Sequence, residues 1–444
     1  MTLDIKQYIQ EKNYHHIRKL LNDLNTVEIS ELIDELEGAD VIVVFRLLPK
    51  DEAADVFAYL SSEQQENIIN TITDVEMASI IEDLYFDDMI DIIEEMPANV
   101  VKKILKNTKV EERPLINQFL NYPDHSAGSI MTIEYVDLKK SMTVEEAIRR
   151  IRKTGIDKET INTCYVTDKE RHLEGIVSLR TLITSADEVI VDDIMTTNYI
   201  SVHATEDQEE VAMAFKKFDL SAIPVLDTEG RLLGIITFDD IMDVVDQENT
   251  EDFHKMAGIA PSEESYLDSS VFSMARQRIL WLMVLMISAT FTGRIIQRYE
   301  EVLQSVVILA AFIPMLMDTG GNAGSQSSTM VIRSLALGDI TPKDVLKVIR
   351  KEITISFIVG GCLALLNFGR LLLFEKVPHA IALTVTLTLF LTVVLAKAVG
   401  SALPIIAKIV KVDPAVMASP LITTIVDAVA LVVYFQLASV LLGL

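Results

Sequence analysis

The chain has 444 residues, 50% of them hydrophobic, with a formal net charge of −26 and two cysteines, Cys164 and Cys362. The charge is uneven: residues 271–444 hold 14 Lys and Arg and 9 Asp and Glu, which leaves 25 basic and 56 acidic side chains, a net −31, in residues 1–270. An acidic half of this size repels phosphates and excludes nucleic acid as a partner, and two scattered cysteines exclude a disulfide framework or a CxxC metal site.

The start is polar and charged (Asp4, Lys6, Glu11, Lys12) and carries no signal-peptide pattern, so the soluble half is expected on the cytoplasmic side. Residues 1–48 have apolar residues at helical spacing. A repeat of about twelve residues follows: Pro49–Leu60, Ser61–Ile72, Thr73–Leu84, Tyr85–Met96, Pro97–Thr108 and Lys109–Leu120. Ser61 and Thr73 open their units as N-cap residues. Each unit is too short for a stable lone helix, so stacking must bury the apolar sides, which predicts a small helical solenoid of either hand. Acids crowd one unit (Glu82, Asp83, Asp87, Asp88, Asp91, Glu94, Glu95). Asp87 and Asp91 share a helix face, where like charges repel unless a cation intervenes; a solvated acidic face is the plain alternative.

After Tyr122-Pro123 two halves echo one another. Ser129-Ile130-Met131-Thr132 returns as Asp193-Ile194-Met195-Thr196, Val144–Arg152 as Gln208–Lys216, and Gly175-Ile176-Val177-Ser178 as Gly234-Ile235-Ile236-Thr237. Strand, turn, strand and helix, twice over, resembles a tandem CBS pair, a module that senses adenine nucleotides or ions. Nucleotide-binding members place a carboxylate three residues after the Ser or Thr. The second repeat keeps it (Thr237, Asp240), whereas the first has Ser178 and Thr181, which argues against nucleotide there. The second repeat ends in acids: Asp239, Asp240, Asp243, Asp246, Glu248, Glu251 and Asp252. Carboxylates without sulfur or imidazole suit hard cations such as Mg²⁺ or Ca²⁺ rather than zinc, and the EF-hand ligand order is absent. His254 reads as a surface residue. Residues 251–272 read as a helical connector broken at Gly258–Ser262.

Five apolar stretches follow: Ile279–Gly293, Val302–Met317, Ile353–Phe374, Pro378–Val410 and one from Ala415 onward. Basic residues concentrate at 333–352 (Arg333, Lys343, Lys347, Arg350, Lys351) and at Lys408 and Lys411. These keep both loops and the soluble half cytoplasmic and put the C-terminus outside. The small and amide residues Gly320-Gly321-Asn322-Ala323-Gly324-Ser325-Gln326 follow the second span and can pack helices closely or supply oxygen ligands. In the last stretch a single carboxylate, Asp427, follows Thr423 and Thr424 by one turn. A charged side chain there normally faces an aqueous path or a partner; neutralisation by a proton or by Lys397 is the plain alternative.

In this order the acidic helical N-domain, the tandem CBS pair, the Gly320–Ser327 segment and Asp413-Pro414-Ala415 with Pro420, Thr424 and Asp427 resemble the MgtE family of bacterial magnesium channels over essentially the whole chain. The resemblance implies a multidomain fold: an α-helical solenoid-like N-domain (1–125), an α/β tandem CBS pair (126–250), a connector or plug helix (251–272) and an all-α transmembrane pore domain of five helices (273–444). It implies a homodimer in the cell (inner) membrane, with a central pore lined by the second and fifth spans. Asp427 would hold hydrated Mg²⁺ there, with Thr423, Asn322 and Gln326 nearby and Gly321 and Gly324 in the same lining. Regulatory Mg²⁺ would be held by Asp55, Asp87 and Asp91, by Asp207, Glu209, Asp219, Asp240, Asp243, Glu248, Glu251 and Asp252, and by Asp413. Ser419 stands where some members have asparagine, and Thr163 and Thr181 stand where nucleotide-binding members have tyrosine and aspartate.

The expected function is a Mg²⁺-selective uptake channel closed by cytoplasmic Mg²⁺ bound between acidic surfaces, with Mg²⁺ as both cargo and regulator. Mg²⁺ dehydrates reluctantly, so such a pore needs few direct ligands. The alternatives are a proton-coupled divalent-cation transporter, which a lone intramembrane acid would also serve, and a membrane-anchored sensor. An enzyme is not expected, since no nucleophile–base pair stands out.

Overall fold

Every repeat unit becomes one short helix. In the computed structural model, which describes residues 2–110, 112–262, 266–267 and 269–443, α1 (Thr2–Gln10), α2 (Tyr14–Leu21), α3 (Thr26–Asp34) and α4 (Ala39–Phe45) precede the repeat. Its units then fold as α5 (Lys50–Ala58), α6 (Ser62–Thr71), α7 (Asp74–Asp83), α8 (Phe86–Glu95), α9 (Ala98–Asn107) and α10 (Arg113–Phe119). Helices this short are marginal alone. They are held by burying one apolar pair per unit, as in Ile68-Ile69, Ile80-Ile81 and Ile92-Ile93. Helices α3, α5, α7 and α9 neighbour one another in succession, and α4 neighbours α6, so the units stack in two rows. Thr73 closes a capping box with Glu76, whose carboxylate accepts from the Thr73 backbone N–H at 2.8 Å. Ser61 occupies its N-cap position without a capping bond and donates its hydroxyl to Asp34 at 2.7 Å instead.

The echoed halves form two three-stranded sheets. The first has β1 (Val136–Leu138) parallel to β2 (Thr163–Thr167) across α11 (Val144–Thr154), with β2 antiparallel to β3 (Leu173–Ser178). After α12 (Leu179–Thr184) and α13 (Val191–Ile194), the second sheet repeats the pattern with β4 (Val202–His203), α14 (Gln208–Phe218), β5 (Ala222–Leu226) and β6 (Leu232–Thr237). The Met-Thr echoes cross between halves: Thr132 bridges Ile235 and Thr196 bridges Ile176. That crossing explains the glycine before each last strand's core residues, because a Cβ on Gly234 would sit 2.4 Å from the Thr132 carbonyl oxygen. The solenoid and the second sheet share one core, running from Ile5 through Phe119 to Ile241. Helix α15 (Phe238–Met256) follows.

The chain divides into two units, Met1–Val245 and Asp246–Leu444. In the second, α15 ends at Met256 and Gly258 takes a left-handed φ of +69°, so the helix stops at the start of the Gly258–Ser262 break read from sequence. There is space for no side chain: a Cβ on Gly258 would lie 2.2 Å from the ring of Trp281. His254, read from sequence as a surface residue, is half-buried, with its Nδ1 enclosed.

Five helical segments are long and apolar enough to cross a membrane: Val271–Arg298, Val307–Ala336, Pro342–Leu373, His379–Ile409 and Pro414–Leu442. They are built on α16 (Val271–Arg298), α18 (Ile313–Ala336), α19 (Val345–Leu373), α20 (His379–Ile409) and α21 (Ser419–Leu442), with a short α17 (Glu300–Ser305) between the first two. The second span differs from expectation. Pro314 opens α18, where its missing N–H costs nothing, and the Gly-Gly-Asn-Ala-Gly segment lies within the helix rather than after it. Four neighbours explain why glycine persists there: Gly320 abuts Thr392 and Val426, Gly321 abuts Thr423, and Gly324 abuts Ile422. At the tightest point a Cβ on Gly400 would stand 2.2 Å from the Gly324 carbonyl oxygen, so α18 and α20 touch backbone to backbone.

Gly400→Ala is therefore expected to force these helices apart, at a cost of about 1–3 kcal/mol. Gly361→Ala, where a Cβ meets open space, should be neutral. Thermal unfolding of the detergent-solubilised protein, followed by size-exclusion, checks both.

Candidate functional site

Two helices frame the candidate ion path. On α18 the exposed residues Asp318, Asn322, Gln326 and Thr329 recur at helical spacing on one face, while Gly320, Gly321, Ala323, Gly324, Ser327 and Ser328 are buried. Hydrocarbon cannot satisfy amides and carboxylates, so such a face requires water or protein against it. Beside it, the first turn of α21 holds Pro420, whose carbonyl accepts from the hydroxyls of Thr423 (3.0 Å) and Thr424 (3.1 Å). The missing side chain of Gly321 lets the Thr423 methyl approach, which packs the two helices side by side. Asp427 is half-buried one turn further on, and among the described residues no Lys or Arg pairs with it. Lys397 is engaged elsewhere: it pairs with Glu352 at 3.7 Å and donates to Ser327 Oγ at 3.2 Å. Neutralisation of Asp427 by Lys397 is thereby removed. The Ser419 side chain lies outside the described residues.

A second group gathers where the last turns of α15 meet the loop before α21. Asp413 accepts from the Ala415 backbone N–H at 2.8 Å and so caps the turn Pro414–Met417. The Lys255 ammonium lies 2.6 Å from both Glu251 Oε1 and Asp413 Oδ2. Burial, then the charge of Asp413, pushes Asp252 up to about 6. Lys255 was not among the residues picked out from sequence, because a single lysine in an acidic helix gives no sign of where it reaches.

The third group lies in the first unit. Burial, with Asp240 next in effect, pushes Asp87 up to about 9, and its Oδ1 is buried without a hydrogen-bond partner. The same causes raise Asp88 to about 6 and Glu159 to about 7. Asp91 keeps an exposed edge, yet crowding by the fold, then Asp88, raises it to about 7. Asp240 is raised chiefly by burial, although it accepts from the backbone N–H and hydroxyl of Thr237. The charges that act most strongly on Asp87, Asp88, Asp91 and Glu159 are all negative, with Glu134, Asp239 and Asp55 among them. Carboxylates from the solenoid and both CBS halves thus converge.

Of the sequence-predicted metal residues, Asp55, Asp87, Asp91, Asp240 and Asp243 meet in this last group, and Glu251, Asp252 and Asp413 meet at the connector with Glu248. Asp207, Glu209 and Asp219 join neither. Asp207 caps α14 by accepting from the Glu209 N–H at 2.9 Å, and Asp219 ends the same helix in a left-handed conformation, φ 51°. Glu134 and Glu159 were missed because each is an isolated acid in the first CBS half, placed only by the tertiary fold. Among the described residues no three His, Cys, Asp or Glu side chains stand in direct metal-ligating geometry. The donor set is all oxygen, which suits an ion that retains waters and takes one or two carboxylates.

A family model described as a divalent cation transporter matches residues 313–437, one described as the MgtE intracellular N domain matches 24–125, and CBS-domain models match 127–188 and 191–247. The chain is similar to the magnesium transporter MgtE of Thermus thermophilus, 37% identical over 331 residues, covering 74% of this chain and 73% of that one. It is also similar to the magnesium transporter MgtE of Bacillus subtilis, 35% identical over 335 residues, covering 76% and 74%. Among solved structures, the cytosolic domain of the Mg²⁺ channel MgtE in complex with ATP aligns with a TM-score of 0.52 at 35% identity, covering 55% of this chain and 100% of that one.

The raised carboxylates make a pH prediction for residues 1–245. A raised value means that the folded state holds the proton more tightly than the unfolded one, so stability is greatest at low pH. It falls as pH rises above 3.8, through about 7 for Asp91 and about 9 for Asp87. In divalent-free buffer the melting temperature should therefore drop between about pH 5 and about pH 8, and Mg²⁺ should restore it at the higher pH only. A melting curve indifferent to both would mean that the cluster is simply solvated.

Proposed function

The chain belongs to the MgtE family of magnesium transporters, and from that membership we propose that it is a Mg²⁺-selective channel whose conduction is shut by cytoplasmic Mg²⁺. The observation that carries this reading is the exposed polar face of α18 lying beside the half-buried Asp427, with which no Lys or Arg among the described residues pairs. Two copies placed about a common axis would cover that face and set two Asp427 carboxylates across one aqueous path. The carboxylates attract a hydrated cation and reject anions without stripping its waters, which Mg²⁺ gives up reluctantly. Lys343, Lys347, Arg350 and Lys351 before or early in α19, with Lys408 and Lys411 after α20, support a cytoplasmic location for both loops and for the acidic half.

Closure follows from the two carboxylate groups. At low cytoplasmic Mg²⁺, Asp87, Asp91 and Asp240 repel one another and the solenoid is held away from the CBS pair. When Mg²⁺ is plentiful, ions bound among them offset that repulsion, and ions at Glu248, Glu251, Asp252 and Asp413 fix the connector against the loop that leads into α21. Such feedback requires only that Mg²⁺ bind the closed arrangement more tightly than the open one.

ATP in the cytosolic domain of a solved relative stands against reading the module as indifferent to nucleotide. In this chain Ser178 and Thr181 satisfy each other at 2.8 Å, and Thr181 brings no carboxylate for a ribose. We infer that any nucleotide held here is recognised without the first repeat's acid.

Two experiments test the proposal in liposomes. Asp427→Ala should abolish Mg²⁺ flux, and the parent's current should follow the Mg²⁺ gradient with no pH gradient imposed; current that needs a proton gradient would indicate an exchanger. Neutralising Asp87, Asp91, Asp240 and Asp243 together should leave flux high at millimolar internal Mg²⁺. A variant that closes more readily than the parent at low Mg²⁺ would show that repulsion, not ion bridging, governs closure.

A further inference from the structure

Lys397 lies in α20 with 5% of its surface exposed, within a helix apolar enough to cross a membrane. Its ammonium donates to Ser327 Oγ of α18 at 3.2 Å and lies 3.7 Å from Glu352 Oε2 of α19. The Ser327 hydroxyl donates to that same carboxylate oxygen at 2.6 Å. The hydroxyl is therefore used in both senses, accepting from the amine and donating to the acid, and three helices meet at one oxygen. None of the three side chains has a part in the ion path or in closure as described above.

A buried ion pair is poor evidence for stability, because desolvation can exceed the attraction and well-packed apolar residues hold helices equally well. What directed hydrogen bonds between buried charges do supply is a single geometry, since any other leaves a charge unsatisfied in a low-dielectric medium. Helix α18 needs such a restraint. Its contact with α20 at Gly324 and Gly400 is backbone against backbone, which sets separation, while directed side-chain bonds from this face of the helix come from Ser327 and from Ser328, which donates to the Met417 carbonyl at 3.1 Å. Ser327 lies about 140° around the helix from Asn322, the centre of the row of Asp318, Asn322 and Gln326. Holding Ser327 from behind fixes where that row points.

We propose that Lys397 is a positioning residue for ion conduction: with Glu352 it grips Ser327 and sets the rotation of α18 that turns Asn322 and Gln326 toward the ion path. This rests on the reading of α18 and α21 as that path. Ser327→Ala is the decisive variant, since it keeps both charges and removes only their grip on α18. In liposomes its maximal Mg²⁺ flux should fall about tenfold while half-saturating Mg²⁺ moves less than about twofold, with parental melting in detergent. Lys397→Met combined with Glu352→Gln leaves no unpaired charge and should fold, yet remain as slow. Parental flux in either the serine variant or the double variant would overturn the proposal, leaving Lys397 as no more than a counter-ion. Asp427→Ala, measured alongside, separates the two readings. If it conducts, the assigned path fails and the grip with it; if it is silent while Ser327→Ala is parental, only the grip fails.

Discussion

A carboxylate taken out of water must be answered by a proton, a partner or an ion, because its lost hydration costs several kcal/mol. This chain withdraws carboxylates at four places and answers differently at each. Glu352 has a permanent partner in Lys397 and shares Ser327 with it. Asp413 and Glu251 share the tethered cation of Lys255. Around Asp87 the strongest charges are those of other acids, and it holds its proton well above the ordinary carboxylate range. Asp427 has neither a basic partner among the described residues nor full burial, the environment suited to a mobile cation. The first two pair carboxylates with a tethered lysine, whereas Asp87 and Asp427 have no lysine or arginine paired with them among the described residues.

The architecture was legible where a short period repeats. Twelve-residue units became single helices because each period holds one polar start and one apolar pair, and the CBS echoes became sheets because β-branched runs recur with the same spacing. The number of membrane helices followed from apolar length alone. What sequence did not reveal is contact. The Gly320–Gly324 run resembles a loop in one dimension, and only the proximity of Thr423, Ile422 and Gly400 explains why it is helical. Glu134 and Glu159 carry no local signal and matter only because the solenoid folds back on them. Lys397, the alternative counter-ion for Asp427, reaches α18 and α19 with its amine instead.

The same glycines serve two ends on α18. By vanishing on one side they bring α20 and α21 into backbone range, and by doing so without polar side chains they leave the polar work to the opposite face. A helix with asparagine and glutamine all round would satisfy neither lipid nor neighbour. Segregation of small from amide residues is thus what allows one helix to pack closely on one side and present amides on the other.

The junction of Gly258 with Trp281 has a further consequence. The chain contains a single tryptophan, and it lies against the residue at which the connector leaves its helix. The indole N–H is enclosed without a partner, so its emission should be sensitive to any change in local polarity. The molecule therefore carries an intrinsic fluorophore at one defined joint, free of background from other indoles, through which movement of the connector can be followed without a label.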